Sequence, residues 1–232
     1  MIHTDPDGGC EHGGAWADES GGEAAGYRRV PQQSRSRDRV ERILEVTNEL
    51  VLAEGVETIT TRSIAAAAGI PVASFYQYFT DKDQVLVALV HRYLADRDRL
   101  LAANLAAVEE LTVRTLVRAT MHAMVDTYRM HPALVMIFLR GRAVPAIRDF
   151  TRDYNLALAQ QLFERARGVG MTLEDATGLH AELAIEICDR LFQIAFDRAS
   201  GGDEQIIEEA ITMVTAYLET HSTEGGPDGP TT

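Results

Sequence analysis

Residues 60–82 constrain the fold of this chain more than any other stretch. They read TTRSIAAAAGIPVASFYQYFTDK. Thr60 or Thr61 can cap a helix, because a threonine hydroxyl accepts a hydrogen bond from the unpaired N–H groups of the first turn. Gly69 can adopt the left-handed conformation that ends a helix. We therefore predict two short helices joined by a tight turn, with the second helix over residues 72–79.

Two short helices joined in this way form a helix-turn-helix, in which one helix crosses a DNA backbone and the other enters the major groove. The outward side chains suit that contact, since Gln77 can bind an adenine edge and Ser74 a base or a phosphate. Hydroxyl, guanidinium and ammonium groups can bind phosphate oxygens. The candidate DNA-binding residues are Thr60, Thr61, Arg62, Val72, Ser74, Tyr76, Gln77, Tyr78 and Lys82. The alternative is a pair of core helices whose tyrosines only pack.

The pattern resembles the TetR (tetracycline repressor) family of bacterial transcription regulators over about residues 40–90. The resemblance rests on an apolar first helix ending at Gly55, then on TTRSIA, AAAAGI and SFYQYFTDKDQVL, with a lysine three residues after Phe79. Pro71 stands where the family usually has a serine cap, and Ala73 where glycine is common. Both departures affect only the start of the second helix. The resemblance implies a homodimer on a palindromic operator and an effector pocket in the body.

The net charge of −13 is unfavourable for DNA binding, but it is distributed unevenly along the chain. Residues 1–26 hold six acidic and no basic side chains, and residues 200–232 hold seven acidic and none basic. Residues 27–99, by contrast, hold 11 basic and 10 acidic side chains. The acidity therefore lies at the two ends, and we expect weak, salt-sensitive non-specific binding.

Several functional classes are disfavoured. The chain has no phosphate-binding loop, dinucleotide glycine fingerprint, H-E-x-x-H motif or nucleophile elbow. Its seven histidines lack metal-ligand spacing, and Cys10 and Cys188 form neither a disulfide framework nor a zinc site. No apolar run approaches membrane-spanning length, and residues 1–30 lack the apolar core of a signal peptide. We expect a cytoplasmic protein that is not an enzyme and has no cofactor, metal or membrane partner.

The remaining pattern predicts an all-α chain of about nine helices. We expect a disordered extension over residues 1–36, a helix-turn-helix domain over 37–83, a helical effector-binding and dimerisation domain over 84–221, and a disordered tail over 222–232. A long fourth helix would connect head and body. Later helices are predicted at Thr112–Met130, Ala133–Leu139 and Pro145–Arg167. A further helix is predicted to end at about Ala199, and the last helix to span 203–221. Residues 172–175 resemble a capping box.

The helix that ends near Ala199 is apolar around most of its circumference, so it must be covered on more than one side. If one face packs on its own body, the other needs a partner, and two copies of the last two helices would complete a four-helix bundle. The predicted dimer interface consists of Ile185, Cys188, Phe192, Phe196, Ile207, Ile211, Val214 and Leu218. A core helix within a monomer is the alternative.

The middle helices concentrate methionines and aromatic residues, which suit an apolar pocket but are also typical of any helical core. The residues alone favour core packing, whereas the family resemblance implies a pocket without choosing its lining. The candidate ligand-binding residues are Met121, Met124, Tyr128, Phe150, Tyr154 and Phe192.

The functional prediction is a TetR-like transcriptional regulator, a homodimeric repressor released from a palindromic operator of double-stranded DNA by a small apolar effector. An activator would share every residue in this argument. The alternative from another class is a helical small-molecule-binding protein or enzyme whose N-terminal head contacts other proteins.

Overall fold

The computed structural model describes residues 34–139, 141–171 and 177–223. Their regular structure is helical, which confirms the predicted all-α fold. In chain order the α-helices of this part are α1 (Ser34–Glu54), α2 (Thr61–Ala67), α3 (Val72–Phe75), α4 (Lys82–Ala106), α5 (Val113–Met130), α6 (Pro132–Leu134), α7 (Pro145–Gly168), α8 (Gly178–Arg198) and α9 (Glu204–Glu219). A π-helical turn, Val135–Leu139, and a 3₁₀ turn, Gly141–Ala143, connect α6 to α7.

Two helices begin earlier than predicted. The first helix begins at Ser34, three residues before the predicted start of the head. The short apolar helix predicted for Ala133–Leu139 begins at Pro132 and widens into the π-helical turn after one turn. The chain before Ser34, the predicted capping box at 172–175 and the tail beyond Thr223 lie outside the described residues.

The head consists of α1, α2 and α3, which share one apolar core. That core contains Ile43, Leu44, Ile64 and Phe75, each fully buried. Thr47 lies on the same stripe of α1 and donates its hydroxyl to the Ile43 carbonyl at 2.7 Å, so its polar group is satisfied. Helices as short as α2 and α3 are unstable alone. Burial of their apolar side chains, about 1.5–3 kcal/mol for each large one, holds them in place.

The 25-residue helix α4 connects the head to the body. Asp81 caps its N-terminus by accepting a hydrogen bond from the Gln84 N–H at 2.9 Å. Near its midpoint the Tyr93 hydroxyl donates to Asn48 Oδ1 of α1 at 2.6 Å, and burial raises the pKa of Tyr93 to about 12. Farther along, α4 packs against α5 and α7. A rise of about 1.5 Å per residue gives α4 a length of roughly 37 Å.

The body contains α5, α7, α8 and α9. The helices α8 and α9 form an antiparallel pair joined through Gly202, whose φ of 81° is in the left-handed region. Phe192 and Phe196 of α8 pack edge-on against Tyr128 of α5, with ring centroids 5.9 and 5.1 Å apart. These aromatic contacts fix which face of α8 lies against its own body.

The residues predicted for the dimer interface lie largely on the face of α8 and α9 that packs within the chain. Within one chain the structure buries Cys188, Phe192, Phe196, Ile207, Ile211 and Val214, and half-buries Ile185 and Leu218. The opposite face of α8 is exposed instead, with Leu179 at 55%, Leu183 at 43% and Ile187 at 41%. Both faces of α8 are apolar, so helical spacing shows that two covers are needed but cannot tell the intramolecular cover from the other.

Candidate functional site

A reciprocal pair of hydrogen bonds fixes the start of α2. The Thr60 hydroxyl accepts from the Ser63 N–H at 3.1 Å, and the Ser63 hydroxyl accepts from the Thr60 N–H at 2.9 Å. Of the two threonines proposed as the cap, Thr60 takes that role and Thr61 is the first helical residue. The capping box satisfies two otherwise unpaired N–H groups and so stabilises a helix of only two turns.

The turn between α2 and α3 depends on Gly69. Its φ is 67°, the left-handed conformation expected at a helix C-terminus. The N–H of Gly69 donates to the Ala66 carbonyl at 3.1 Å, and the N–H of Ile70 donates to the Ala65 carbonyl at 3.0 Å. This pair of bonds is the Schellman motif, which ends the helix sharply and sets the direction in which α3 leaves.

The helix α3 is shorter than the predicted 72–79. Pro71, with φ −60° and ψ 143°, precedes it as an extended cap residue without a side-chain bond. After Phe75 the N–H groups of Gln77 and Tyr78 bond three residues back, to the Ser74 and Phe75 carbonyls at 3.2 and 2.9 Å. The helical path thus continues as a tighter turn, which orients the side chains at its end.

The exposed ends of α2 and α3 meet on one surface. Tyr76 is 42% exposed, Gln77 and Arg62 are exposed, and the hydroxyls of Tyr76 and Thr61 lie 3.5 Å apart. We call this the reading surface. Its members are Thr61, Arg62, Val72, Ser74, Tyr76 and Gln77, of which Thr61, Val72 and Ser74 are half-buried. Thr60 is exposed at its edge.

Tyr78 and Lys82 are engaged in contacts within the chain. Tyr78 is only 8% exposed, so most of its side chain belongs to the head core. Lys82 Nζ donates to the carbonyls of Val56 at 3.2 Å, Glu57 at 3.2 Å and Ile59 at 3.0 Å. An ammonium group has three donors, so all of them are used inside the chain. This differs from the phosphate contact expected from the sequence and gives Lys82 a supporting position.

A second feature is an apolar cavity of about 100 Å³ between α5, α7, α8 and α9. A smaller cavity of about 30 Å³ adjoins it. Of the predicted ligand residues, Met121 lines both cavities, and Met124 and Phe192 line the smaller one. Tyr128, Phe150 and Tyr154 line neither. Tyr128 is instead core, and Phe150 and Tyr154 stack on each other with centroids 6.0 Å apart.

The smaller cavity is lined by charged residues that are not among the predicted ligand-binding residues. Arg97 is 3% exposed and Asp189 is 4% exposed, and both line it. The position of Arg97 in the sequence could have indicated its burial. Arg97 follows Val90 and Leu94 at helical spacing, so a charged residue occupies the buried stripe of α4. A charge on such a stripe needs a partner or a function, because burying an unpaired charge is costly.

Hydrogen bonds organise the charged end. Arg97 forms an ion pair with Asp98 at 2.7 Å and donates to the Tyr154 hydroxyl of α7. Its Nε has no hydrogen-bond partner among the described residues. Asn155 Nδ2 donates to Asp189 Oδ2 at 2.7 Å and to Glu186 Oε1 at 3.1 Å. The Arg97 charge thus has a partner on one side, while part of its guanidinium remains without one.

Burial also governs the thiol and the phenol near this end. Burial, reinforced by the nearby Asp189 carboxylate, raises the pKa of Cys188 to about 12. The thiol is therefore protonated and a weak nucleophile at neutral pH. Burial likewise raises the pKa of Tyr154. The chemistry available here is hydrogen bonding and packing.

Two other kinds of site are absent from the described ranges. Among these residues no helix has both the length and the hydropathy required to cross a bilayer. The same part of the chain brings together no group of three histidine, cysteine or carboxylate side chains able to hold a metal ion.

Comparison with known proteins identifies both halves of the chain. Residues 43–89 match the family of bacterial regulatory proteins of the tetR family, and residues 112–218 match the tetracyclin repressor-like C-terminal domain. The nucleoid occlusion factor SlmA of Actinobacillus pleuropneumoniae is 27% identical over 201 residues, which cover 82% of this chain and 97% of that protein.

Solved structures agree with these matches. A TetR-family transcriptional regulator from Streptomyces coelicolor superposes with a TM-score of 0.64 at 27% identity, covering 79% of this chain and 99% of that one. A regulator from Syntrophomonas wolfei shares the fold with a TM-score of 0.66 at 17% identity, covering 79% and 96%. The capped helix pair of the head and the helical body therefore match the two domains of one family, and the chain belongs to the TetR family of transcriptional regulators.

Proposed function

We propose that the protein is a homodimeric repressor that binds a palindromic operator through two reading surfaces and is released by a small apolar effector. The observation that carries the proposal is the exposure of Tyr76 and Gln77 beside Arg62, at the end of a helix pair fixed by its capping box and Schellman turn. Amide, hydroxyl and guanidinium groups on a rigid helix end suit base edges and phosphates. Its place of action would be the cytoplasm.

The exposed face of α8 supports a two-fold dimer. Leu179, Leu183 and Ile187 recur at intervals of four and form one apolar stripe, and Met213 of α9 is 54% exposed. Large contiguous apolar surface on a protein indicates a binding face. A two-fold axis through this stripe would place the same residues of two copies against each other and would repeat the reading surface once. An inverted repeat in the DNA follows from that symmetry.

The cavities support control by a ligand. Arg97 of α4 lines the smaller one, and α4 runs from the body to the head, where Tyr93 bonds Asn48. A ligand that favours one position of α4 would favour one separation of the two reading surfaces. Release would then be a population shift, limited by the ligand's preference for one arrangement over the other.

The test is selection of bound duplexes from a random DNA pool with the purified full-length chain at fixed salt. The expected result is an enriched inverted repeat whose half-site centres lie about one helical turn, roughly 10 base pairs, apart. A reporter carrying the enriched sequence at its promoter should then fall in expression when the protein is present. No enrichment over heparin competition would contradict DNA reading and favour a head that contacts proteins, and a single unrepeated site would contradict the dimer.

A further inference from the structure

The two cavities of the body adjoin each other, because several residues line both of them. These shared residues are Thr120, Met121, Ile185 and Cys188. Met121 is the most adaptable, because methionine is unbranched and has three rotatable side-chain bonds. Met121 is therefore the side chain that a ligand could displace most easily to occupy both spaces. A single ligand can therefore place one part in each cavity.

Their combined size limits the ligand. The larger cavity measures about 100 Å³ and the smaller about 30 Å³. An engineered protein cavity of about 150 Å³ is known to admit benzene. The combined space is slightly smaller than that, so it limits the ligand to about one six-membered ring with at most a small substituent.

The two ends differ in chemistry. The larger cavity is walled mostly by apolar side chains, among them Val117, Leu162 and Ala184. Its histidines are engaged with neighbours: the rings of His180 and His221 stack with centroids 3.7 Å apart, and His180 Nδ1 lies 3.2 Å from the hydroxyl of Tyr217. This end selects an apolar body.

The smaller cavity selects an uncharged polar group. Arg97 and Asp189, which carry opposite charges, both line it. A carboxylate would bind Arg97 but would lie beside the Asp189 carboxylate, and an ammonium group would meet the reverse conflict. A hydroxyl can accept from a guanidinium and donate to a carboxylate at once. A space of about 30 Å³ is on the scale of one or two water molecules, so a single hydroxyl group fills it.

We propose that the effector is an uncharged, single-ring apolar molecule bearing one hydroxyl group, with its ring in the larger cavity and its hydroxyl between Arg97 and Asp189. The inference rests on the proposed function, because it names the class of ligand that releases the operator. It also assigns Arg97 a second role. The guanidinium links α4 to Tyr154 of α7, so a ligand that competes for it alters the α4–α7 contact.

The experiment is calorimetric titration of the full-length chain with p-cresol, toluene, benzoate and benzylamine. p-Cresol and toluene differ only in the hydroxyl, and the other two carry opposite charges. p-Cresol is expected to bind on the order of tenfold more tightly than toluene, the effect of a hydrogen bond to a charged group. Equal affinities for p-cresol and toluene, or tighter binding of benzoate or benzylamine than of p-cresol, would overturn the proposal.

A matched pair of variants locates the hydroxyl. Arg97→Met keeps the length of the side chain and removes its donors, so the preference for p-cresol over toluene should disappear. Arg99→Met on the same helix, where Arg99 is exposed, should retain it. Retention of the preference in Arg97→Met would contradict the assignment. If Arg97→Met fails to fold by circular dichroism, the four probes on the unaltered chain decide.

Operator binding without any probe, measured on the same preparation, separates this inference from the proposed function. Normal operator binding without a p-cresol preference refutes the effector class alone. A p-cresol preference without operator binding supports the cavity chemistry and refutes the repressor. Operator release by p-cresol at concentrations that saturate the calorimetric site supports both.

Discussion

Gln77 projects from the turn that follows α3, and its amide is exposed. We expect Gln77→Ala to weaken operator binding by about 1–3 kcal/mol, the range for one bidentate side-chain contact to a base. The free energy of unfolding should change by less than about 0.5 kcal/mol, as for most surface substitutions. Fluorescence anisotropy at fixed salt measures operator affinity, and urea denaturation measures the free energy of unfolding. Gln160→Ala, at an exposed position of α7, is the matched control, and an equal loss of affinity there would refute the role of Gln77.

Lys82 provides the contrasting case, because its ammonium group binds three carbonyls of the segment between α1 and α2. We expect Lys82→Met to reduce the free energy of unfolding by about 1–3 kcal/mol, since it leaves partly buried carbonyls without their donor. Operator affinity should fall through this loss of support, with an unchanged dependence on salt. A phosphate-binding lysine would behave differently. Removing it would leave stability intact and lower the slope of log affinity against log salt by about one.

The roles of individual residues are partly predictable from the sequence. The roles of Thr60, Gly69 and Gln77 can be predicted, because helix capping, a left-handed backbone conformation and an outward-facing polar side chain are local properties. The partners of Lys82 are more than 20 residues away in the chain, and Tyr78 is buried by neighbours in space. Local spacing cannot show such contacts. Arg97 is an intermediate case. A charged residue on an apolar stripe indicates an unusual environment, but it does not identify the residues that surround the charge.

The connection between α8 and α9 requires glycine at position 202. Its φ is +81°, and a Cβ there would lie 2.9 Å from Ile207 Cδ1 and 3.1 Å from the Phe196 ring. We expect Gly202→Ala to destabilise the protein by roughly 1–3 kcal/mol through backbone strain and overpacking. Gly201→Ala is the adjacent control, because no atom lies within 4 Å of its Cβ position. Equal melting temperatures for the two variants would contradict this explanation.

The two faces of α8 show how far helical periodicity leads at the scale of an element. The sequence showed that both faces are apolar and that both need a cover. The choice between them depends on Tyr128 of α5, which packs on Phe192 and Phe196 and thereby turns Leu183 outward. Tyr128 and Phe192 are 64 positions apart in the sequence, so their contact is not visible from local spacing. Element positions were therefore predictable, whereas their rotation in the body was not.

The exposed stripe of α8 gives a test of assembly. Leu183→Arg places a charge in the middle of the proposed interface, where it would be desolvated against its two-fold copy, so the protein should become monomeric while remaining folded. Leu156→Arg is the control, because Leu156 is a similarly exposed leucine on α7. Sedimentation velocity distinguishes monomer from dimer, and circular dichroism checks the fold. A Leu183→Arg dimer as stable as the Leu156→Arg dimer would place the interface elsewhere.

At the scale of the whole molecule, the distribution of charge should set the background affinity for DNA. The six acidic side chains within residues 1–26 contribute six of the net −13 charges, and this segment has no basic residue. Their repulsion of the phosphate backbone does not depend on base sequence, so it weakens operator and random duplex alike. Specificity should then be independent of this segment, since both affinities carry the same factor.

Replacing those six residues by asparagine and glutamine should raise both affinities several-fold at about 0.05 M salt and leave their ratio unchanged. The gain should shrink at about 0.15 M salt, where the Debye length falls to about 8 Å. Exchanging aspartate and glutamate at the same six positions preserves the charge and is the matched control. A gain for the operator alone would show that the segment acts on recognition itself, because a long-range field cannot distinguish one duplex sequence from another.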